Sequence, residues 1–365
     1  MSRLRKWITV GRLKLSLAGA ARTGWYVGWV GHDNLGDEAI FQVVRHAFQP
    51  VKVFSPPPKL GADIARAKLA GKHELVIIGG GTLIGEHGYL HSLDRAMSSA
   101  ANTIVFGTGV EDPTFWPSRD AARYDLHRWR PILERCAYIG VRGPRSQHHL
   151  RQIGIESEVL GDPACMFVRT DARRCPDHER RLGLNLGSGS LGMFGSDESV
   201  FTTLLSFAKK IRSGGWDITL YVVFPSDLPI ATEFARQLGL PVSKARCFYN
   251  DPHAFMDSIR EQTAFVGFKL HATALAYCAG VPALMIEYRP KCRDFMESIG
   301  AGDFVMRADQ LSVDELLAKI EELHTHSVAL IERTTARLER FRDKQIATAR
   351  RLVSNNYCEV QSLAG

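Results

Sequence analysis

Short apolar runs recur along the chain, separated by amphipathic segments of helical length: Trp25–Val30, Val51–Phe54, Leu75–Ile78, Thr103–Phe106, Ala137–Val141 and Glu158–Leu160. Runs this brief suit strands. Their continuous rather than alternating apolar character suits strands covered on both faces, the signature of a mostly parallel sheet built by βαβ crossovers. After Asp162-Pro163-Ala164 the pattern stalls in the polar stretch Arg169–Asp177, where an inter-domain linker is expected. The rhythm then restarts with Arg181–Leu186, Ile218–Phe224, Ala245–Phe248, Ala264–Val266, Ala283–Ile286 and Phe304–Met306.

From Ser312 onward Leu316, Leu317, Ile320, Leu323, Leu330, Ile331, Leu338, Phe341, Ile346 and Leu352 repeat at helical spacing, which predicts one or two long closing helices with charged, solvated outer faces. The expected organisation is therefore a basic extension over residues 1–23, one α/β domain over 24–175, a second over 176–311, and C-terminal helices over 312–365. Pro56-Pro57-Pro58 reads as a stiff connector.

Composition adds limits rather than a function. At 365 residues, 45% hydrophobic and 23% charged, the chain can build two ordinary globular cores. The net charge of +7 favours acidic partners such as phosphorylated metabolites or anionic headgroups. Nucleic acid is disfavoured, because neither an aromatic-plus-glycine signature nor zinc-finger spacing is present. The seven scattered cysteines contain no C-x-x-C pair and read as reduced thiols of a cytoplasmic protein. No apolar stretch is long enough to span a bilayer. The basic start, with Leu4, Trp7 and Ile8 beside Arg3, Arg5 and Lys6, reads either as a terminal extension or as a peripheral contact with the inner face of the plasma membrane. No metal site is expected, since His148 and His149 are adjacent rather than at helical ligand spacing.

Candidate chemistry concentrates where strands should hand over to helices, the usual ligand crevice of an open parallel sheet. Phe268-Lys269-Leu270-His271 places a cation and an imidazole at such a junction. An anion there would meet positive charge and unpaired helix N–H groups. His271 reads equally as a helix cap. The first strand runs into Gly31-His32-Asp33-Asn34-Leu35-Gly36-Asp37-Glu38, a loop that can hold a polyol or a phosphate and that does not match the dinucleotide fingerprint. Asp37 and Glu38 read alternatively as helix caps. Gly79-Gly80-Gly81-Thr82 and Phe106-Gly107-Thr108-Gly109 keep glycine where side chains would strike a ligand or a neighbouring loop. Arg142, at the end of a strand, reads as an anion clamp or as a structural partner.

Taken together, Asn34-x-Gly36-Asp37-Glu38-Ala39-Ile40, Gly79-Gly80-Gly81-Thr82-Leu83, Val141-Arg142-x-x-x-Ser146, Gly161-Asp162-Pro163-Ala164 and Leu270-His271-Ala272 with Gly280-Val281-Pro282 resemble the polysaccharide pyruvyl transferase family. The resemblance implies a GT-B-like α/β fold: two Rossmann-like, doubly wound domains facing a cleft, with an acceptor side in the first and a donor side in the second. It implies transfer of the enolpyruvyl group of phosphoenolpyruvate to a sugar of a cell-surface polysaccharide or its lipid-linked precursor, leaving a pyruvate ketal and phosphate, with no further cofactor. By the same resemblance Lys269, Leu270 and Arg142 grip the donor and His271 is catalytic. Asn34, Gly36, Asp37, Glu38, Gly80, Gly81 and Thr82 would face the acceptor. The position before Leu270 is typically Arg in the family and is Lys here, which keeps the charge and loses the bidentate fork. The competing readings are a GT-B glycosyltransferase using a nucleotide sugar and a non-catalytic binding protein on the same fold. Against the first, Glu287 is followed eight residues later by Phe295 rather than by a second acid.

Overall fold

Each apolar run singled out in the sequence lies on a parallel strand of the computed structural model, which describes residues 20–56, 73–98, 100–117, 120–171, 179–189 and 192–354. Residues 1–19 of the basic extension, Pro57 and Pro58 of the proline run, and 172–177 of the polar stretch lie outside the described residues. The chain forms two compact units. The first comprises 1–32, 40–163 and 343–365, the second 33–39 and 164–342.

In the first unit the elements run β1 (Thr23–Val27), α1 (Leu35–Ala47), β2 (Lys52–Phe54), β3 (His73–Ile78), β4 (Thr82–Ile84), α2 (Leu90–Ser98), β5 (Ala100–Val110), α3 (Arg130–Leu133), β6 (Tyr138–Val141), α4 (Pro144–Gln152) and β7 (Glu158–Val159). The first five residues of α1, Leu35–Ala39, together with the turn before them, belong to the second unit. The sheet order is β2-β1-β3-β5-β6-β7, with β4 paired to β5. Val76, Ile78 and Val105 are fully buried in its core together with Leu93 of α2 and Trp129. Strand β4, which the sequence leaves inside a glycine-rich loop, pairs Thr82 with Gly109 and Ile84 with Val110.

The second unit contains β8 (Arg181–Asn185), α5 (Asp197–Ser213), β9 (Asp217–Val222), α6 (Leu228–Leu238), β10 (Ala245–Cys247), α7 (Pro252–Ile259), β11 (Ala264–Gly267), α8 (Leu270–Cys278), β12 (Ala283–Glu287), α9 (Pro290–Ser298), β13 (Val305–Arg307), α10 (Val313–Thr325) and the first part of α11 (Ser327–Val353), which passes to the first unit at Asp343. Its sheet order is β10-β9-β8-β11-β12-β13, all parallel. Strands β8 and β11 are apolar throughout their middles because both faces are covered. Helix starts follow local chemistry. The Ser196 hydroxyl accepts from the Ser199 amide at 3.1 Å, and Asp251 caps α7 through the Ala254 amide at 2.9 Å, with Pro252 at the first helical position.

Two boundaries differ from the sequence expectation. The chain leaves the first unit after Pro163 rather than near 175. Residues 164–171 are tied to the second unit: the Ala164 carbonyl accepts from Cys278 Sγ at 3.3 Å, the Arg169 amide donates to the Cys278 carbonyl at 2.9 Å, and Arg260 binds Asp171. Residues 33–39, expected on the first domain, also fold with the second unit, where the Leu35 amide donates to the Val223 carbonyl at 3.0 Å.

Candidate functional site

In each sheet the strand order reverses direction once, and that reversal opens a crevice at the carboxyl edge. In the second unit it falls between β8 and β11, whose following loops are Leu186–Gly189 and Phe268–Lys269. Asn185 holds this junction together from full burial. Its Oδ1 accepts from the Lys269 amide at 2.8 Å, and its Nδ2 donates to the carbonyls of Tyr221 at 2.8 Å and Leu186 at 3.2 Å. The residue that starts α8 is thereby fixed to β8 and β9.

Lys269 is the N-cap of α8, in an extended conformation. Its Nζ donates to the Ser188 carbonyl at 2.9 Å and lies 3.4 Å from Asp227 Oδ2. The rings of Phe224 and Phe268 stand 5.9 and 5.8 Å from the ammonium, within cation–π range. Gly187 is what admits the lysine stem, since a Cβ there would fall 2.4 Å from Lys269 Cε. Asp227 is fully buried, and its Oδ1 accepts from the Ser188 amide at 3.2 Å. Burial pushes its carboxyl above the ordinary carboxylate range, and Lys269 and the Ser188 amide pull it back only in part. Asp197, in the first turn of α5, accepts from the Gly189 amide at 2.8 Å and from the Ser188 hydroxyl, fixing the same loop.

His271 is the second residue of α8, and its ring lies directly on Gly36. A Cβ at Gly36 would fall 2.0 Å from His271 Nδ1. The turn that brings Gly36 there is made by Asn34, whose Oδ1 accepts from the Gly36 amide at 3.1 Å and whose carbonyl accepts from Glu38 at 3.0 Å. Asp33 just before it holds φ 56°, the left-handed region that Asn and Asp tolerate best among side-chain-bearing residues. Asn34, Gly36, Asp37 and Glu38 therefore join the histidine's unit, not the glycine loops of the first unit with which the sequence grouped them. Asp37 and Glu38 sit in the first turn of α1, where negative charge complements the helix dipole. Leu270 is 3% exposed and packs as core.

The remaining candidates meet in the first unit. Arg142 is 1% exposed. Its Nη1 donates to the Gly81 carbonyl at 3.2 Å and to Thr82 Oγ1 at 3.1 Å, and its guanidinium fills the space over Gly109. The arginine expected on the donor is thus joined to Gly81 and Thr82, two of the residues expected on the acceptor. The reversal of the first sheet lies between β1 and β3, so Gly79-Gly80-Gly81 stands at its crevice. Intrachain packing accounts for two of these glycines: a Cβ at Gly79 would strike the Tyr26 ring, and one at Gly80 the Ile40 side chain. The Tyr26 hydroxyl also accepts from the Gly80 amide at 3.0 Å.

Three residues of the second unit's crevice carry no signal that marked them in the sequence: Asn185, Ser188 and Asp227. Asn185 could have been found as a polar end to an apolar run leading into Gly187-Ser188-Gly189. Asp227, in Phe224-Pro225-Ser226-Asp227, reads as an ordinary turn and helix start. Glu287 is 3% exposed and is bound through Oε2 by Arg293 Nε at 2.9 Å and Nη2 at 2.6 Å. Among the described residues no helix is long and apolar enough to cross a membrane.

The chain is similar in structure to the S. aureus MnaA–UDP co-structure, with a TM-score of 0.60, 10% identity, and coverage of 86% of this chain and 90% of that one. It is also similar to a putative UDP-N-acetylglucosamine 2-epimerase from Listeria monocytogenes, with a TM-score of 0.56, 12% identity, and coverage of 86% and 90%. A third likeness is to UDP-GlcNAc 2-epimerase from Methanocaldococcus jannaschii in complex with UDP-GlcNAc and UDP, with a TM-score of 0.54, 10% identity, and coverage of 83% and 93%. At such identities the likeness speaks for the fold, a GT-B-like pair of Rossmann-like units with C-terminal helices. No curated protein matches the chain. The profile of one sequence family, polysaccharide pyruvyl transferase, matches residues 34–290, from the Asn34 turn through β12 to the start of α9. The chain belongs to the polysaccharide pyruvyl transferase family and is a sugar-modifying transferase.

Proposed function

We propose that the protein transfers the enolpyruvyl group of phosphoenolpyruvate to two hydroxyls of one sugar in a cell-surface polysaccharide or its lipid-linked precursor. Such a reaction belongs in the cytoplasm or at the inner face of the plasma membrane, where phosphoenolpyruvate is available. The observation that carries this reading is the convergence of Lys269, His271 and the Asn34–Glu38 turn at the sheet reversal of one unit.

The chemistry asks for an acid and a cation. Proton transfer from the His271 imidazolium to the methylene carbon makes C2 electrophilic, and a sugar hydroxyl adds there. Phosphate leaves with its bridging oxygen, and the second hydroxyl closes the ketal. The two hydroxyl protons balance the methyl group formed and the protonated phosphate released. Lys269 supplies the positive charge that orients the donor. Asn34, Asp37 and Glu38, on the turn that touches His271, bind the sugar hydroxyls. Arg142 acts at one remove, by fixing Gly81 and Thr82.

Purified protein given phosphoenolpyruvate and a glycoside acceptor should release phosphate. His271→Ala should lower kcat by about 10²- to 10⁴-fold, the usual contribution of a general acid, with an unchanged circular dichroism spectrum. Release that survives the substitution removes His271 from the proton transfer. Thermal shift separates the nucleotide-sugar reading, because only a ligand that prefers the folded state raises the midpoint. A shift with UDP-sugars and none with phosphoenolpyruvate would overturn the proposal.

A further inference from the structure

We propose that Asp227 is a resident anion for Lys269: its carboxylate holds the ammonium in the empty enzyme, and an anionic donor must displace it. The inference rests on reading Lys269 as the donor-side cation, and it assigns a role to a residue that reading leaves unexplained.

The geometry carries it. Asp227 is fully buried, and one oxygen, held by the Ser188 amide, anchors it to the loop after β8. The other faces the Lys269 ammonium at 3.4 Å. The backbone of Lys269 is pinned by Asn185, so the lysine cannot leave the site with its partner. Its side chain stays 18% exposed while that of Asp227 is 1% exposed, so an incoming anion meets the lysine first. The walls are the Phe224 and Phe268 rings, which keep the local dielectric low and make the exchange of one anion for another energetically large. A carboxylate against an ammonium in such a slot has the charge and hydrogen-bonding character of the donor's own carboxylate.

The groups that act on Asp227 from the surrounding elements are Lys269 before α8, Asp197 at the start of α5, Tyr249 after β10 and Tyr288 after β12. Lys269 is the cation among them, so a second anion brought to it finds Asp227 already competing. Removing the carboxylate should have two opposite effects. The half-buried lysine loses its counter-charge, which destabilises the fold. The same uncompensated charge is then available to a guest.

Calorimetric titration of the full chain with phosphoenolpyruvate, and separately with sulfate, tests this. Asp227→Asn should bind both anions on the order of tenfold more tightly than wild type, as expected for loss of one buried competing charge, while its melting midpoint falls. Asp227→Glu keeps the charge and should show no such gain. A merely structural aspartate would lower stability and weaken binding together, and that result overturns the proposal. If Asp227→Asn does not fold, His271→Gln supplies the second measurement. With the imidazole removed and salt held constant, affinity for sulfate, whose own charge stays fixed, should rise severalfold once the pH is low enough for Asp227, raised by burial, to take up a proton. Flat affinity overturns the inference. If sulfate binding tightens in Asp227→Asn but phosphoenolpyruvate binds neither protein, the donor reading fails and this one stands. If phosphoenolpyruvate binds wild type and Asp227→Asn equally, the reverse holds.

Discussion

A single methyl group at position 36 would collide with the imidazole the proposed chemistry depends on. Gly36→Ala should therefore displace His271 while leaving both sheets intact, and kcat should fall on the order of a hundredfold, the usual cost of misplacing a catalytic group by about an ångström. Unchanged turnover would mean that the ring shifts without consequence. Asn185→Ala should act through stability instead. It strips partners from the Lys269 amide and from the carbonyls of Leu186, after β8, and Tyr221, in β9, and should cost about 3 kcal/mol by urea denaturation. Lys269 and His271 were legible in the sequence because a cation and an imidazole stood between two apolar runs. Leu270, read alongside them, faces the core. Asp227 was hidden because an acid after Pro225-Ser226 looks like turn chemistry, and only the fold brings it to a lysine forty-two residues on.

Among the elements, parallel strands were the most legible, since burial on both faces leaves an uninterrupted apolar run. Strand β4 escaped because Thr82-Leu83-Ile84 is too short to show a period and follows three glycines. Helix α10 starts where Ser312 accepts from the Glu315 amide at 3.4 Å, so Ser312→Ala should lower stability by about 1 kcal/mol in a thermal melt. At the other end of the chain, α11 binds β7 within the first unit through Lys344 and Glu158. Partial burial would raise the Glu158 carboxyl, but the Lys344 ammonium at 2.7 Å and the neighbouring Tyr138 hydroxyl outweigh it and hold the group below its ordinary value of 4.5. A carboxyl lowered in the folded state contributes stability above its unfolded value and loses it as the pH falls through the folded one. Wild type should thus exceed Glu158→Gln in stability at neutral pH, and the difference should shrink below about pH 4.5 and vanish in more acid solution. A difference independent of pH would show that the pair contributes nothing.

For the whole molecule, the one restart of the βα rhythm announced two α/β units, but the sequence could not show that each unit is discontinuous. The polar stretch after 169 resembles a linker by composition, whereas the chain changes unit at Pro163, where hydrogen bonds and not composition decide. The turn at 33–39 reads as part of the strand it follows, and its placement with His271 depends on a backbone bond to Val223 that no local pattern announces. With two separate cores, calorimetric unfolding should give an enthalpy larger than the van't Hoff value. A ratio of one would mean that both cores melt together.

The last described helix has a consequence for how the protein is made. Gln345 donates to the carbonyls of Leu160 and Asp162, and Arg22 donates to that of Val353, so the sheet begun by the earliest described strand is closed by residues 343–354. On the ribosome the first unit must wait for that final stretch, while the second already has 33–39 and everything from 164 to 342. Maturation would then run against the direction of synthesis, with the lobe bearing the histidine settling before the one that starts the chain.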